Sequence, residues 1–179
     1  MDQLADNALM LGVKNGELYK MGLLFDRYQQ PLFGYLFHQT GHRVESEDLL
    51  QTVFYLMLAK RHTFSPEGEF RAWMYQIARN ALINSAKKSN RMIYKAEFSD
   101  EAHLADNSLE RNIEVNEDRV QLDAAIARLP DDQREVLILS KYQEIPYKEI
   151  AQILNTTEGN VKVKVYRAIQ ELKKMHKKR

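Results

Sequence analysis

The chain has 179 residues, room for one medium domain or two small ones. It has no cysteine, which excludes disulfides, thiolate nucleophiles and cysteine-based zinc sites and agrees with a reducing cytoplasm; no apolar run approaches a membrane span and no signal-peptide core opens the chain, so no membrane contact of its own is expected. The formal net charge of +1 hides an asymmetry: Lys60 to Lys95 holds eight Lys/Arg and two Glu, Glu97 to Asp118 eight acidic residues and one Arg, and Val161 to Arg179 eight Lys/Arg and one Glu. Two basic blocks separated by an acidic one point to two nucleic-acid-facing modules with a connector of opposite sign.

Asp6 to Val13 reads as a short opening helix, stopped by Asn15-Gly16. From Glu17 a longer helix keeps its period through Leu18, Met21, Leu24, Phe25, Tyr28, Leu32, Tyr35 and Leu36. Pro31 inside it predicts a kink or a new turn, and Gly41 predicts its end. A further helix is predicted from about Val44 to Lys60, with Leu50, Val53, Phe54 and Met57 as its buried face and Asp48 and Gln51 on its exposed side. Glu45, Glu47 and Asp48 near its start suit the helix dipole.

Thr63 to Glu69 reads as a loop, with Ser65-Pro66 and Gly68 as breakers. The next helix runs from Phe70 to about Lys88 on a stripe of Phe70, Trp73, Met74, Ile77 and Ala81. Its other faces carry Arg71, Tyr75, Arg79, Asn80 and Asn84, and it closes in Lys87-Lys88. Cations beside aromatics suit single-stranded nucleic acid, where bases stack and phosphates meet charge; Phe70 and Trp73, on the stripe, read as core. Residues 96–118 read as an acidic linker with little apolar periodicity. Arg119 to Arg128 is amphipathic through Val120, Leu122, Ala125 and Ile126, and Leu129-Pro130-Asp131 closes it and caps a helix from Asp132 to Tyr142. No strand-like alternation persists anywhere, so the expected fold is all-α.

Tyr147 to Leu154 then reads as a short amphipathic helix behind Pro146, whose missing N–H costs nothing at that position. Asn155-Thr156 breaks the pattern, and Thr157 can accept from the free amides of the helix that follows. Two helices joined by so tight a turn form a helix-turn-helix. In the second, Val161, Val165, Ala168 and Leu172 share one side, and Gly159, Asn160, Val163, Tyr166, Arg167 and Gln170 take the other, bordered by Lys162 and Lys164. Polar side chains between bordering cations suit a helix lying in the major groove, with base edges read at the middle and phosphates held at the rims; an ordinary solvated helix face is the other reading.

Asp48-Leu49-Leu50-Gln51-Thr52-Val53-Phe54 and Phe70-Arg71-Ala72-Trp73-Met74-Tyr75-Gln76-Ile77-Ala78-Arg79-Asn80 resemble region 2 of the extracytoplasmic-function sigma factors of bacterial RNA polymerase. Leu129-Pro130-Asp131-Asp132-Gln133-Arg134-Glu135-Val136, Tyr147 to Ala151 and Glu158-Gly159-Asn160-Val161-Lys162 resemble their region 4. The resemblance implies two small helical domains, residues 1–95 and 119–179, on either side of the linker. It implies docking of Asp48 and Gln51 on core RNA polymerase. It implies capture of a flipped base of the downstream promoter element by the loop, with Thr63, Phe64 and Ser65, while Arg79, Asn80, Asn84 and Lys88 hold the single strand. The upstream element, as duplex, falls to Lys148, Thr157, Glu158, Gly159, Asn160, Lys162, Val163, Lys164, Tyr166 and Arg167. Implied partners are core polymerase, promoter DNA and an anti-sigma factor. Thr52 departs from the acidic residue usual in the family, Asn160 from its common threonine, and Pro146 from a small polar residue.

This reading involves no covalent chemistry, no cofactor and no metal. The five histidines lack ligand spacing. Two other classes compete with it: a self-sufficient helix-turn-helix repressor or activator, which would bind duplex alone, and a nucleic-acid enzyme, which would need carboxylates or histidines gathered beyond the cluster of Glu45, Glu47 and Asp48.

Overall fold

A computed structural model of the chain describes residues 5–96 and 117–177, and these are helix and turn throughout. The first half contains α1 (Asp6–Lys14), α2 (Lys20–Thr40), α3 (Arg43–Ala59) and α4 (Phe70–Ala96), with a single 3-10 turn at Arg61–Thr63. The second contains α5 (Glu117–Ala127), α6 (Asp131–Leu137), α7 (Tyr147–Ile153) and α8 (Glu158–Lys177).

Short connections keep successive helices of the first half side by side. Gly16 at φ 102° turns the chain from α1 into α2, and Gly41 at φ 71° ends α2; both are left-handed conformations that cost an L side chain. The α2 helix continues through Pro31, which is itself exposed, while Leu24, Leu32, Tyr35 and Leu36 of the same helix are fully buried. In α3 the buried row is Ser46, Leu49, Val53, Phe54 and Met57; Leu49 takes the core place expected for Leu50, which is only partly covered. Ser46 is tolerated there because its hydroxyl donates to the His42 carbonyl at 2.7 Å and meets the Thr40 hydroxyl at 2.8 Å.

In the second half, α6 passes into a π-helical segment, Ile138–Tyr142, so the helix expected from Asp132 to Tyr142 is present with its last turn widened. Asn155, at φ 49°, makes the sharp turn between α7 and α8. Val136, Ile138, Leu139, Ile150, Ile153, Val161, Val165 and Ala168 form the core beneath them. Val120 and Leu122 do not join it: they are 45% and 46% exposed, and Ile126 and Leu129 anchor the segment instead.

The two halves pack on one another, α4 against α7 and α2 against α5, α6 and the π-helical segment. The acidic linker falls on residues that, from 97 to 116, lie outside the described ones; its last two residues, Glu117 and Asp118, already belong to α5.

Candidate nucleic-acid interface

On α8 the buried apolar stripe fixes which face is turned to solvent. Val161 and Ala168 are fully buried and Val165 nearly so, against α6 and α7. Rotation by about 100° per residue then leaves Gly159, Asn160, Val163, Tyr166 and Arg167 in solvent, with Val163 48% and Tyr166 64% exposed. Gln170, expected among them, is half-buried. Thr157 caps the helix: its hydroxyl accepts the Asn160 amide at 3.2 Å, and the Asn160 side chain donates to the Thr156 hydroxyl at 3.2 Å. Lys148 and Glu158 are exposed close by.

The bordering cations have modest partners. Lys162 meets Glu158 at 3.0 Å and Lys164 meets Asp132 at 3.2 Å. Exposed pairs of this kind contribute about 0–1 kcal/mol, so a phosphate can take either lysine at little cost.

The first half presents a second polar surface. Asn80, Asn84 and Lys88 are spaced four apart on α4 and are all exposed, forming one row. At the other end of the loop, Thr63 and Ser65 are exposed. The Thr63 hydroxyl accepts the Trp73 indole N–H at 3.2 Å and donates to the Lys60 carbonyl at 2.8 Å. Ser65 donates to the Glu67 carboxylate, which holds that carboxyl below its ordinary range.

Phe64 corrects the sequence reading. Expected with Thr63 and Ser65 to meet the captured base, it is instead only 1% exposed, edge-on to Phe70 and Trp73 at 6.4 and 5.5 Å. Its ring anchors the loop from beneath and offers no face to a base. Tyr75, expected on a nucleic-acid-facing side, is likewise buried; its hydroxyl donates to Gln143 at 3.1 Å, and burial raises its pKa.

Arg79 is where the two halves meet. Its guanidinium binds Glu135 of α6 at 3.0 and 3.3 Å, and Glu135 also accepts from the Tyr35 hydroxyl at 3.0 Å. Tyr35 is fully buried, and burial, then the Glu135 charge, pushes its pKa well above the ordinary phenol value. Arg71 forms a two-pronged pair with Glu149 of α7 at 2.8 and 3.0 Å, and Gln76 donates to the Gln152 carbonyl at 2.9 Å. The Glu149 carboxylate raises the Arg71 pKa. Periodicity gives no sign of these cross-half pairs. Their only trace in the sequence is that Arg71 and Arg79 are eight apart and therefore share a face. Beside them a cleft of about 540 Å³ opens between the halves, lined by Glu45, Arg79, Asp131, Asp132 and Glu135 among others.

Asp48 and Gln51 lie exposed on the outer side of α3. No group of three or more metal-ligating side chains occurs among the described residues, and no helix among them is long and apolar enough to cross a membrane.

An all-helical chain with a cation-bordered helix-turn-helix at one end and a second polar helical surface at the other has the form of a two-site DNA-binding protein. Residues 24–92 match the family described as Sigma-70 region 2, and residues 119–172 that described as Sigma-70, region 4. The chain is 31% identical to the RNA polymerase sigma factor YlaC of Bacillus subtilis, over 84% of this chain and 88% of that protein. It is 30% identical to the ECF RNA polymerase sigma factor BldN of Streptomyces coelicolor over 89% of this chain, and spans 61% of that protein. Among solved structures, the sigma factor RpoE of Bartonella quintana, in complex with the anti-sigma factor NepR, shares the fold: TM-score 0.70, 22% identity, 87% of this chain and 96% of that one. The chain belongs to the sigma-70 family, as an RNA polymerase sigma factor of the extracytoplasmic-function type serving promoter-specific transcription initiation.

Proposed function

We propose that the chain brings core RNA polymerase to its promoters through two contacts made by different halves. Residues 1–95 dock on the core through Asp48 and Gln51 and engage the downstream element, and residues 119–179 hold the upstream element as duplex. The observation that carries this reading is the solvent-facing surface of α8, where Asn160, Val163, Tyr166 and Arg167 stand clear of the fold between Lys162 and Lys164. Asn80, Asn84 and Lys88 form the corresponding surface for the separated strand, with Thr63 and Ser65 at the loop. Phe64 supports that loop from within.

Glu135 takes the Arg79 Nε–H and offsets its charge, so a phosphate must compete with that carboxylate for the guanidinium. On this reading, engagement of the downstream element draws α4 away from α6 and exchanges one anion for another. The partners are core polymerase, promoter DNA and an anti-sigma factor, the last by analogy with the complex formed by RpoE of Bartonella quintana. The chain acts in the cytoplasm and does no covalent chemistry; the reacting groups are the polymerase's. A self-sufficient repressor would need only the α8 surface. The exposed pair on α3 and the polar row on α4 favour the two-handed reading over it.

The docking assignment is tested with Asp48→Ala. Asp48 is exposed and supports no packing, so the variant keeps its thermal stability. Its affinity for purified core, measured by competition with labelled wild type, falls several-fold. Unchanged affinity removes Asp48 from the contact.

A further inference from the structure

The matched region 2 begins at residue 24 and leaves α1 outside it. Yet α1 holds the loop that the preceding reading gives to the flipped base. The Asn7 side chain donates to the Gly68 carbonyl at 2.8 Å and accepts the Phe70 amide at 2.8 Å. Lys14 donates to the Phe64 carbonyl at 2.6 Å. These two side chains, seven residues apart, lie on one face of α1 about 10 Å from each other, and so meet the two ends of residues 64–70. The Phe70 amide is one of the free donors of the first turn of α4, so this contact caps it from a different helix. Asp6 fixes α1 in turn, paired with Arg27 at 2.6 Å and hydrogen-bonded by Tyr28.

We propose that Asn7 and Lys14 are positioning residues for the downstream promoter element: they brace the 64–70 loop at both ends, so that Thr63, Ser65 and the start of α4 form a fixed rim for an unstacked base. The inference rests on the base-capture reading of the loop. Every stabilising contact of a flipped base must compensate for lost stacking, and a loop ordered in advance adds no ordering cost at that step. Inside the loop the bonds are short-range, the Gly68 amide to the Ser65 carbonyl at 3.1 Å and Ser65 to Glu67. Those bonds shape the turn but do not attach it to the body. Asn7 and Lys14 do.

The test uses holoenzyme, reconstituted from the full chain and core, on a forked template built around a mapped start site. Each non-template base is replaced in turn by an abasic nucleotide. Wild type loses about tenfold in affinity when the captured base is removed, the ratio that one base contact supports. With Asn7→Ala that ratio falls to within roughly twofold of unity, while core affinity and binding to an upstream duplex stay at wild-type values. Lys14→Met behaves the same way, and Lys14→Arg, which keeps the donor, restores the ratio. The Lys14 pair decides the matter if Asn7→Ala fails to fold. Variants that discriminate the base as well as wild type does overturn the brace and leave the loop reading intact. A wild type indifferent to every base overturns the loop reading and the brace together.

Discussion

Arg167 sits in the middle of the exposed face of α8 and Lys162 at its border, and the two positions ask for different chemistry. A guanidinium at the centre of a helix in the major groove meets base edges; an ammonium at the rim meets phosphate. Arg167→Ala therefore costs about 1–3 kcal/mol on the correct duplex and little on a scrambled one. Lys162→Ala weakens both alike and lowers the salt slope by about one. Titrations of both duplexes across a range of salt check this, and an equal loss on the two sequences with Arg167→Ala contradicts the base contact. The exposure of these residues was legible because burial and exposure alternate with the helical period: once Val161, Val165 and Ala168 are inside, the polar face has no other place to be. Arg79 was legible as a cation on α4 but not as a bound one. Its partner Glu135 lies 56 positions away, and nothing local in the sequence predicts that separation.

At the level of elements, the loop and α4 form one unit whose centre is aromatic. Phe64 meets both Phe70 and Trp73 edge to face, and Tyr28 adds its ring to Phe70 at 5.3 Å. Truncating Phe64 leaves a void under the loop, so Phe64→Ala lowers unfolding free energy by about 3–5 kcal/mol, measured by denaturant titration. A loss below about 1 kcal/mol contradicts its place in the core. The breakers Ser65, Pro66 and Gly68 correctly mark a loop, yet they say nothing of which loop side chain is swallowed by the body. The same limit explains Val120 and Leu122. Their spacing looks amphipathic, but that face receives no covering element among the described residues, and they stay exposed. The π-helical segment at Ile138–Tyr142 has no recognisable sequence signal, since any helix former fits it.

Over the whole molecule, the halves are held by Arg71–Glu149, Arg79–Glu135 and hydrogen bonds from Tyr75 and Gln76. Each ion pair is partly exposed, with side-chain exposures of 34% and 19% for the first and 35% and 15% for the second, and each contributes on the order of 1 kcal/mol. The two pairs therefore add only modestly to the apolar packing of α4 on α7 and of α2 on α5 and α6. Combining Glu135→Gln with Glu149→Gln increases the distance between dyes on α3 and α8, read by energy transfer. It also removes most of the separation that wild type shows when salt rises from about 0.1 to 1 M. Wild type and double variant with the same distance at low salt contradict a role for the pairs. The all-helical fold and most of the helix bounds could be read from the sequence; how the two halves sit together could not, because the long-range pairs that join them carry no periodicity.

The central claim is that two surfaces of one chain serve one polymerase. It is tested most directly by run-off transcription from genomic fragments with purified core and this protein alone, followed by mapping of the start sites. Discrete transcripts are expected, with start sites that share two upstream sequence elements at fixed separation, absent when core is used without the protein. Transcription no different from core alone, with the protein binding duplex DNA unaided, contradicts it.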